Sequence, residues 1–153
     1  MKVFTMLLFI IVSMVAFAEE TKSCSNLDCI DEIDKDNNIM VYLNVLWGSL
    51  EKAKGCKDLN KLDKALEYTT KITHGVASQE AISEFIEEEF MNNPKCILSR
   101  MQKISKAARI KVADYLSGPT FVHWKNIEKT LNENKKDYPN EYHLILTGKE
   151  LEK

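Results

Sequence analysis

The sequence has little excess charge of either sign. Its 23 acidic residues nearly balance its 21 basic residues, and the formal net charge is −2 at neutral pH. Nucleic-acid-binding domains usually carry a basic patch or stripe, and disordered acidic segments carry a strong negative excess. The near balance therefore gives no electrostatic case for nucleic acid or for an acidic disordered tail.

Catalytic and metal-binding signatures are also missing. The three histidines, His74, His123 and His143, are scattered and form no pair with metal-ligand spacing. The G-x-S-x-G elbow of many hydrolases is absent. We therefore predict no catalytic residue, no cofactor and no metal. His123 stands beside Trp124 and could line the rim of a pocket, although a capping or surface role is the commoner one for such a histidine.

Long apolar runs are confined to the first 18 residues. A single early charge, Lys2, precedes an apolar run that ends at Ala16-Phe17-Ala18. This layout is typical of a secretory signal peptide, and we predict cleavage before Glu19. An uncleaved membrane anchor is the alternative, but a span needs about 20 apolar residues. We therefore expect a secreted, extracellular protein with no transmembrane segment after cleavage.

The chain has few cysteines, and all four follow the predicted cleavage point: Cys24, Cys29, Cys56 and Cys96. In an oxidising compartment an even number most simply indicates two disulfides. A zinc site would need a second close pair of ligands, and only the first two cysteines are close together. The cysteine density is too low for a fold that depends on disulfides, so we expect them to staple an existing core.

The rest of the chain shows helical periodicity and no strand hairpin or repeat. The first predicted helix, residues 39–50, is apolar nearly all round, which favours a place at the centre of the fold. The further predicted helices cover residues 59–72, the stretch from a cap at Ser78 to residue 92, residues 95–117, the stretch after a cap at Thr120, and a short segment near 142–146.

This pattern predicts an all-α fold, a compact bundle of four to six mostly antiparallel helices stapled by two disulfides. Residues 19–147 form the single domain, and residues 148–153 form a charged flexible tail. In an up-down-up-down bundle, Cys56 and Cys96 fall in turns at the same end. That favours Cys56–Cys96 with Cys24–Cys29, while the two crossed pairings remain open.

Two acidic clusters invite a functional interpretation. Asp34, Asp36 and Asn38 have the spacing of calcium-loop ligands, but the glycine and the bidentate glutamate of that loop are missing. We interpret Asp36-Asn37-Asn38 as the cap of the first helix, with a weak calcium site as the alternative. The second cluster is predicted to be a solvated helix face, and it consists of Glu84, Glu87, Glu88 and Glu89.

The predicted helix 95–117 is distinctly basic. Together with an aromatic residue on the next helix it supplies our candidate interaction face: Arg100, Lys103, Lys106, Arg109 and Trp124. An anionic surface or an acidic protein could bind there. The alternative is an ordinary solvent-exposed helix face whose positive charges balance the neighbouring glutamates.

Three functional hypotheses follow from these patterns. The first is a secreted, non-catalytic interaction module that binds another macromolecule, such as an extracellular protein. The alternative is an extracellular carrier that holds a small apolar ligand between helices. Its cavity would be lined by some of the aromatic residues Tyr42, Trp47, Phe85, Phe90, Tyr115, Phe121 and Trp124. The third and least favoured is a hydrolytic enzyme.

Overall fold

The computed structural model describes residues 24–151 apart from 34, 36, 73 and 74. The predicted signal peptide, His74 and two of the three residues with calcium-loop spacing lie outside these residues. The described part of the chain is all-helical and contains no strand, as predicted. Within that part, no helix combines the length and the apolar character needed to cross a membrane.

Seven α-helices are described, which is more than the predicted four to six. They are α1 (Ile39–Ala53), α2 (Leu59–Tyr68), α3 (Val76–Asn92), α4 (Pro94–Met101), α5 (Lys106–Ser117), α6 (Trp124–Asn134) and α7 (Pro139–Thr147). Two short 3₁₀ turns cover Ile30–Glu32 and Lys54–Cys56. The mostly antiparallel arrangement stays a prediction.

The extra helix arises because the predicted helix 95–117 is broken. Ser105 caps α5, and its hydroxyl accepts the N–H of Ala108 at 3.3 Å. The Glu67 carboxylate in turn accepts both the Ser105 hydroxyl, at 2.7 Å, and the Ser105 N–H. Met101 and Ile104 remain buried on either side of the break. The apolar spacing therefore continues across a turn, and periodicity alone could not separate the two helices.

Two predicted helix caps were also wrong. α3 begins at Val76, and Ser78 is buried within its first turn. α6 begins at Trp124, and its cap is His123, whose Nδ1 accepts the N–H of Lys125 at 3.3 Å. The capping or surface role expected for this histidine is thus the one it has.

The central helix is α3, which contacts α1, α4, α5 and α6. The prediction that the first helix, α1, lies at the centre was wrong. The buried face of α1 carries Tyr42 and Leu46, whereas Met40, Val41 and Trp47 are 66 %, 50 % and 42 % exposed. Apolar residues on both sides of α1 therefore do not indicate burial on both sides.

Both cysteine pairs lie at disulfide geometry, in the pairing that the sequence favoured. Cys56 and Cys96 have a Cα–Cα distance of 6.5 Å and join the second 3₁₀ turn to α4. Cys24 and Cys29, with a Cα–Cα distance of 5.5 Å, close a local loop near the N-terminus. The longer link spans 40 residues and stabilises the fold by about 3 to 4 kcal/mol in the chain-entropy account.

Candidate functional site

A buried carboxylate anchors the loop between α5 and α6. Glu87, on α3, is 0 % exposed. Its Oε1 accepts the N–H of Thr120 at 2.8 Å and the hydroxyl of Ser83 at 2.7 Å. Its Oε2 accepts the N–H groups of Phe121 at 2.8 Å and Val122 at 2.7 Å. Three consecutive backbone donors of one loop thus converge on one side chain of the central helix.

These hydrogen bonds satisfy the Glu87 carboxylate, a group whose burial would cost free energy if it had no partners. An ionised carboxylate offers about four acceptor positions, and the four donors occupy them. An unpaired buried charge would be strongly destabilising. The loop therefore has its backbone tied to the core of the protein.

We call the hydrogen bonds from Thr120, Phe121 and Val122 to the Glu87 carboxylate the Glu87 clamp. The clamp leaves apolar surface of the loop exposed to solvent. Phe121 is 48 % exposed although the N–H groups on both sides of it are held. Trp124, at the start of α6, is half-buried, and His123 between them is exposed. An aromatic side chain is thus presented to solvent from a fixed backbone.

A cleft of about 440 Å³ lies beside this loop, between α3 and α5. Val76 and Tyr115 contribute apolar surface to its wall, and Gly118 and Thr120 belong both to the cleft and to the loop surface that carries Phe121. We call the cleft together with loop residues 118–123 the aromatic cleft. Its volume is within the range of small ligand pockets.

The polar side of the aromatic cleft is formed by Glu80, Lys111 and Asp114. Two carboxylates thus face one ammonium group, which gives the cleft a slight negative excess. Burial, and then the charge of Asp114, raise the pKa of Tyr115. The phenol of Tyr115 therefore stays protonated at physiological pH.

The sequence-predicted basic face is divided among different surroundings. Arg100 is only 9 % exposed, and its guanidinium pairs with Asp63 through both carboxylate oxygens, with Nε at 2.6 Å from Oδ1. The hydrogen bond to Asp63 raises the pKa of Arg100. Arg100 therefore joins α4 to α2 and does not belong to an open interaction face.

The other members of that face lie elsewhere. Lys103 is exposed in the turn between α4 and α5. Lys106 and Arg109 share the carboxylate of Glu150, at 2.7 Å and 2.6 Å. Trp124 lies directly after the clamped loop, at the start of α6, and adjoins the aromatic cleft.

The prediction of a solvated acidic face was wrong for two of its four residues. Glu87 and Glu89 are buried, whereas Glu84 and Glu88 are partly exposed. Glu89 accepts the N–H of Gly55 at 2.9 Å and so holds the second 3₁₀ turn. Residues 87 and 89 project on different sides of a helix, and α3 is covered on both sides. The sequence does not reveal this burial, because a run of glutamates is typical of a solvent-exposed helix face.

One weak signal for the Glu87 site was present in the sequence. Ser83 and Glu87 are four residues apart and fall on one side of a helix that also buries Ile86 and Phe90. The three backbone donors carry no side-chain signature, so the loop could not have been identified as the partner.

The aromatic residues considered for a ligand cavity separate into core and surface. Tyr42, Phe85 and Phe90 are buried, whereas Trp47 and Phe121 are exposed. They do not all line one space. Within the described residues, no three histidine, cysteine or acidic side chains are grouped closely enough to hold a metal ion.

Comparison of the chain with protein-family models, with curated proteins and with solved structures gives no match.

Proposed function

We propose that this protein is a secreted, non-catalytic binding module that holds a segment of another extracellular protein in the aromatic cleft. One observation carries this proposal. The buried carboxylate of Glu87 fixes the backbone of a loop whose Phe121 side chain is 48 % exposed. An aromatic side chain that a fixed backbone presents to solvent is the kind of residue that anchors a protein partner.

The energetics of protein interfaces support this role. Most of the binding energy in an interface comes from a few residues, and aromatic anchors are prominent among them. Ordering a loop on binding opposes association, so a loop that is already ordered binds more tightly with the same contacts. The Glu87 clamp supplies that order before the partner arrives.

The lining of the cleft indicates the chemistry of the partner. Val76, which is 72 % exposed, offers apolar surface in the cleft, and Phe121 offers it on the adjoining loop. Among the charged residues of the cleft, Glu80 and Asp114 outnumber Lys111. The complementary segment presents an apolar side chain flanked by a basic residue. Charge complementarity of this kind directs which partner docks and how fast it does so.

The proposed location has two supports. The first 18 residues have the layout of a signal peptide, and both cysteine pairs lie at disulfide geometry, which suits an oxidising compartment. Intact-mass analysis of the protein recovered from culture medium tests this. We expect a chain that begins at Glu19 and has lost four hydrogens to two disulfides. Retention in the cell, or four free thiols, would contradict it.

The binding function is tested by quantitative capture from the native extracellular fluid. We expect Phe121→Ser to lose the protein partner that the unmodified chain retains. Leu146→Ser is the matched control, because Leu146 is 40 % exposed and lies on α7. Equal capture by the unmodified chain and the Phe121→Ser variant would remove the aromatic cleft from the proposal.

Native mass spectrometry tests the carrier alternative on the same sample. A stoichiometric apolar molecule that co-purifies with the secreted protein would favour a carrier over a protein-binding module. A protein of the mass of the bare chain is the expected result.

A further inference from the structure

A second site lies on α5, apart from the proposed function of the aromatic cleft. We propose that Lys106 and Arg109 form a carboxylate-binding site for an acidic peptide segment of a partner protein. In this structure the site is occupied by the chain's own Glu150. Lys106 Nζ lies 2.7 Å from Oε2 of Glu150, and Arg109 Nη2 lies 2.6 Å from Oε1. Each carboxylate oxygen thus has its own cation.

The position of the site on α5 adds to its preference for anions. Lys106 is the first residue of α5, and Arg109 is one turn further on. The start of a helix carries a partial positive charge from its backbone dipoles. Both cationic side chains thus come from the start of α5, the end of the helix where a negative charge is favoured.

Arg109 also has an unused donor at this site. Among the described residues, its Nε is the one buried side-chain nitrogen or oxygen atom that has no hydrogen-bond partner. Arginine binds carboxylates best when two of its N–H groups engage both oxygens. Glu150 receives one bond from Nη2 and leaves Nε unmatched. A carboxylate that replaces Glu150 and engages both Nε and Nη2 would make one more hydrogen bond to Arg109 than Glu150 does.

The tail segment that brings Glu150 to the site follows the end of α7. Gly148 ends α7 in the left-handed conformation, with φ at +67°, and its N–H donates to the carbonyl of Leu144 at 2.8 Å. The residues that follow are not helical, and Leu151 is exposed. Among the described residues, the Glu150 pairs are the ion pairs that join this segment to α5.

Such a link is displaceable. The Lys106 side chain is 68 % exposed, and Arg109 and Glu150 are each about one third exposed. Ion pairs at this degree of exposure contribute little and are screened by salt. A partner with a better-matched carboxylate can therefore take the place of Glu150, and the tail then acts as an internal competitor.

The nature of the occupant identifies the ligand class. The site is filled by a glutamate within a peptide chain, followed directly by Leu151. This geometry accommodates a peptide backbone on both sides of the carboxylate. We therefore assign the site to an acidic peptide, and a sulfated glycan is an outcome that the test must exclude.

The test measures binding of a fluorescent Glu-Leu repeat peptide by fluorescence anisotropy, with the full-length disulfide-bonded protein at low salt. Glu150→Gln keeps the size of the tail residue and removes its charge. We expect this variant to bind the peptide about two- to tenfold more tightly than the unmodified protein, because the internal competitor is weakened. Glu133→Gln removes the same charge from an exposed position on α6 and is expected to leave the affinity unchanged.

A second pair of variants keeps the test decisive. In the Glu150→Gln background, Lys106→Gln with Arg109→Gln should abolish the gain, whereas Lys103→Gln with Lys129→Gln should preserve it. The proposal is overturned if Glu150→Gln does not tighten peptide binding, or if the control pair removes the gain as fully as the site pair. If Glu150→Gln binds heparin more tightly but does not bind the peptide more tightly, the assignment to peptides is overturned. Failure of the cleft variants leaves this outcome unaffected, since they change a different surface.

Discussion

Glu87 and Glu150 perform similar tasks in very different surroundings. Each is a carboxylate that joins a non-helical segment to a helix of the domain: Glu87 receives the loop before α6, and Glu150 brings the tail to α5. Glu87 is wholly buried and accepts four hydrogen bonds, three of them from backbone. Glu150 is one third exposed and contacts two flexible cations.

The difference shows how burial decides whether a contact is permanent. When the Glu87 bonds break, the carboxylate and the loop donors lose their partners in a place that water does not reach. When the Glu150 bonds break, Lys106 and Glu150, which already contact solvent, can be rehydrated. The first contact therefore defines the shape of the aromatic cleft, and the second can be exchanged for a partner's carboxylate.

The largest expected effect comes from Glu87→Gln. The amide nitrogen of glutamine would face backbone N–H groups, so at least one loop donor loses its acceptor within the core. We expect a loss of about 2 to 4 kcal/mol in the free energy of unfolding, measured by urea denaturation. Glu84→Gln makes the same change on a partly exposed site of α3 and should cost less than about 0.5 kcal/mol. Equal losses in the two variants would show that the clamp has no special role.

Arg100→Met tests a contact of intermediate burial. The substitution leaves Asp63 without its guanidinium, but Asp63 is partly exposed and can be rehydrated. We expect a loss of about 1 to 2 kcal/mol in the free energy of unfolding, which lies between the losses expected for Glu87→Gln and Glu150→Gln. Lys103→Met, in the exposed turn nearby, should be close to neutral. A loss as large as that of Glu87→Gln would break the proposed relation between burial and cost.

Glu150→Gln should have the smallest effect on unfolding. We expect no measurable change in the urea midpoint, together with faster amide hydrogen exchange at residues 149–151. Exchange at Phe121 and Val122 should not change, because the loop is held by Glu87. Unaltered tail exchange would contradict the view that the Glu150 pairs hold the tail.

The pH dependence of the Glu150 contact gives a further test of the comparison. The hydrogen bond from Lys106, and then the charges of Lys106 and Arg109, lower the pKa of Glu150 below its ordinary value of 4.5. A carboxylate with a lowered folded-state pKa contributes fully above the unfolded value and loses its contribution as the pH falls through the folded value. The tail contact should therefore be fully formed well above pH 4.5 and should be lost as the pH falls from 4.5 through the lowered pKa of Glu150. Carbon-13 NMR of the Glu150 carboxyl checks this, and in the Lys106→Gln, Arg109→Gln double variant the pKa should return toward 4.5.

The sequence predicted the helical character of the chain from three- and four-residue spacings, and the described helices confirm it. It did not predict the break at Ser105, because the cap there depends on Glu67 from a different helix. It predicted that Glu87 faces solvent and that Arg100 belongs to an interaction face, because composition does not show what packs against a residue. The candidate site was missed for the same reason, since its donors are backbone groups of a loop far along the chain.

What the sequence determined by itself is therefore local: the helical periodicity of the chain, the even number of cysteines, and the apolar segment before residue 19. These follow from spacing and composition, which need no partner to be recognised. Tertiary structure alone decided which charges are buried, which helix is central and which aromatic residue faces solvent. Burial depends on contacts between residues distant in sequence, and the 33-residue separation of Glu87 and Thr120 is a clear instance. The clamp, the aromatic cleft and the exchangeable tail are consequences of those contacts.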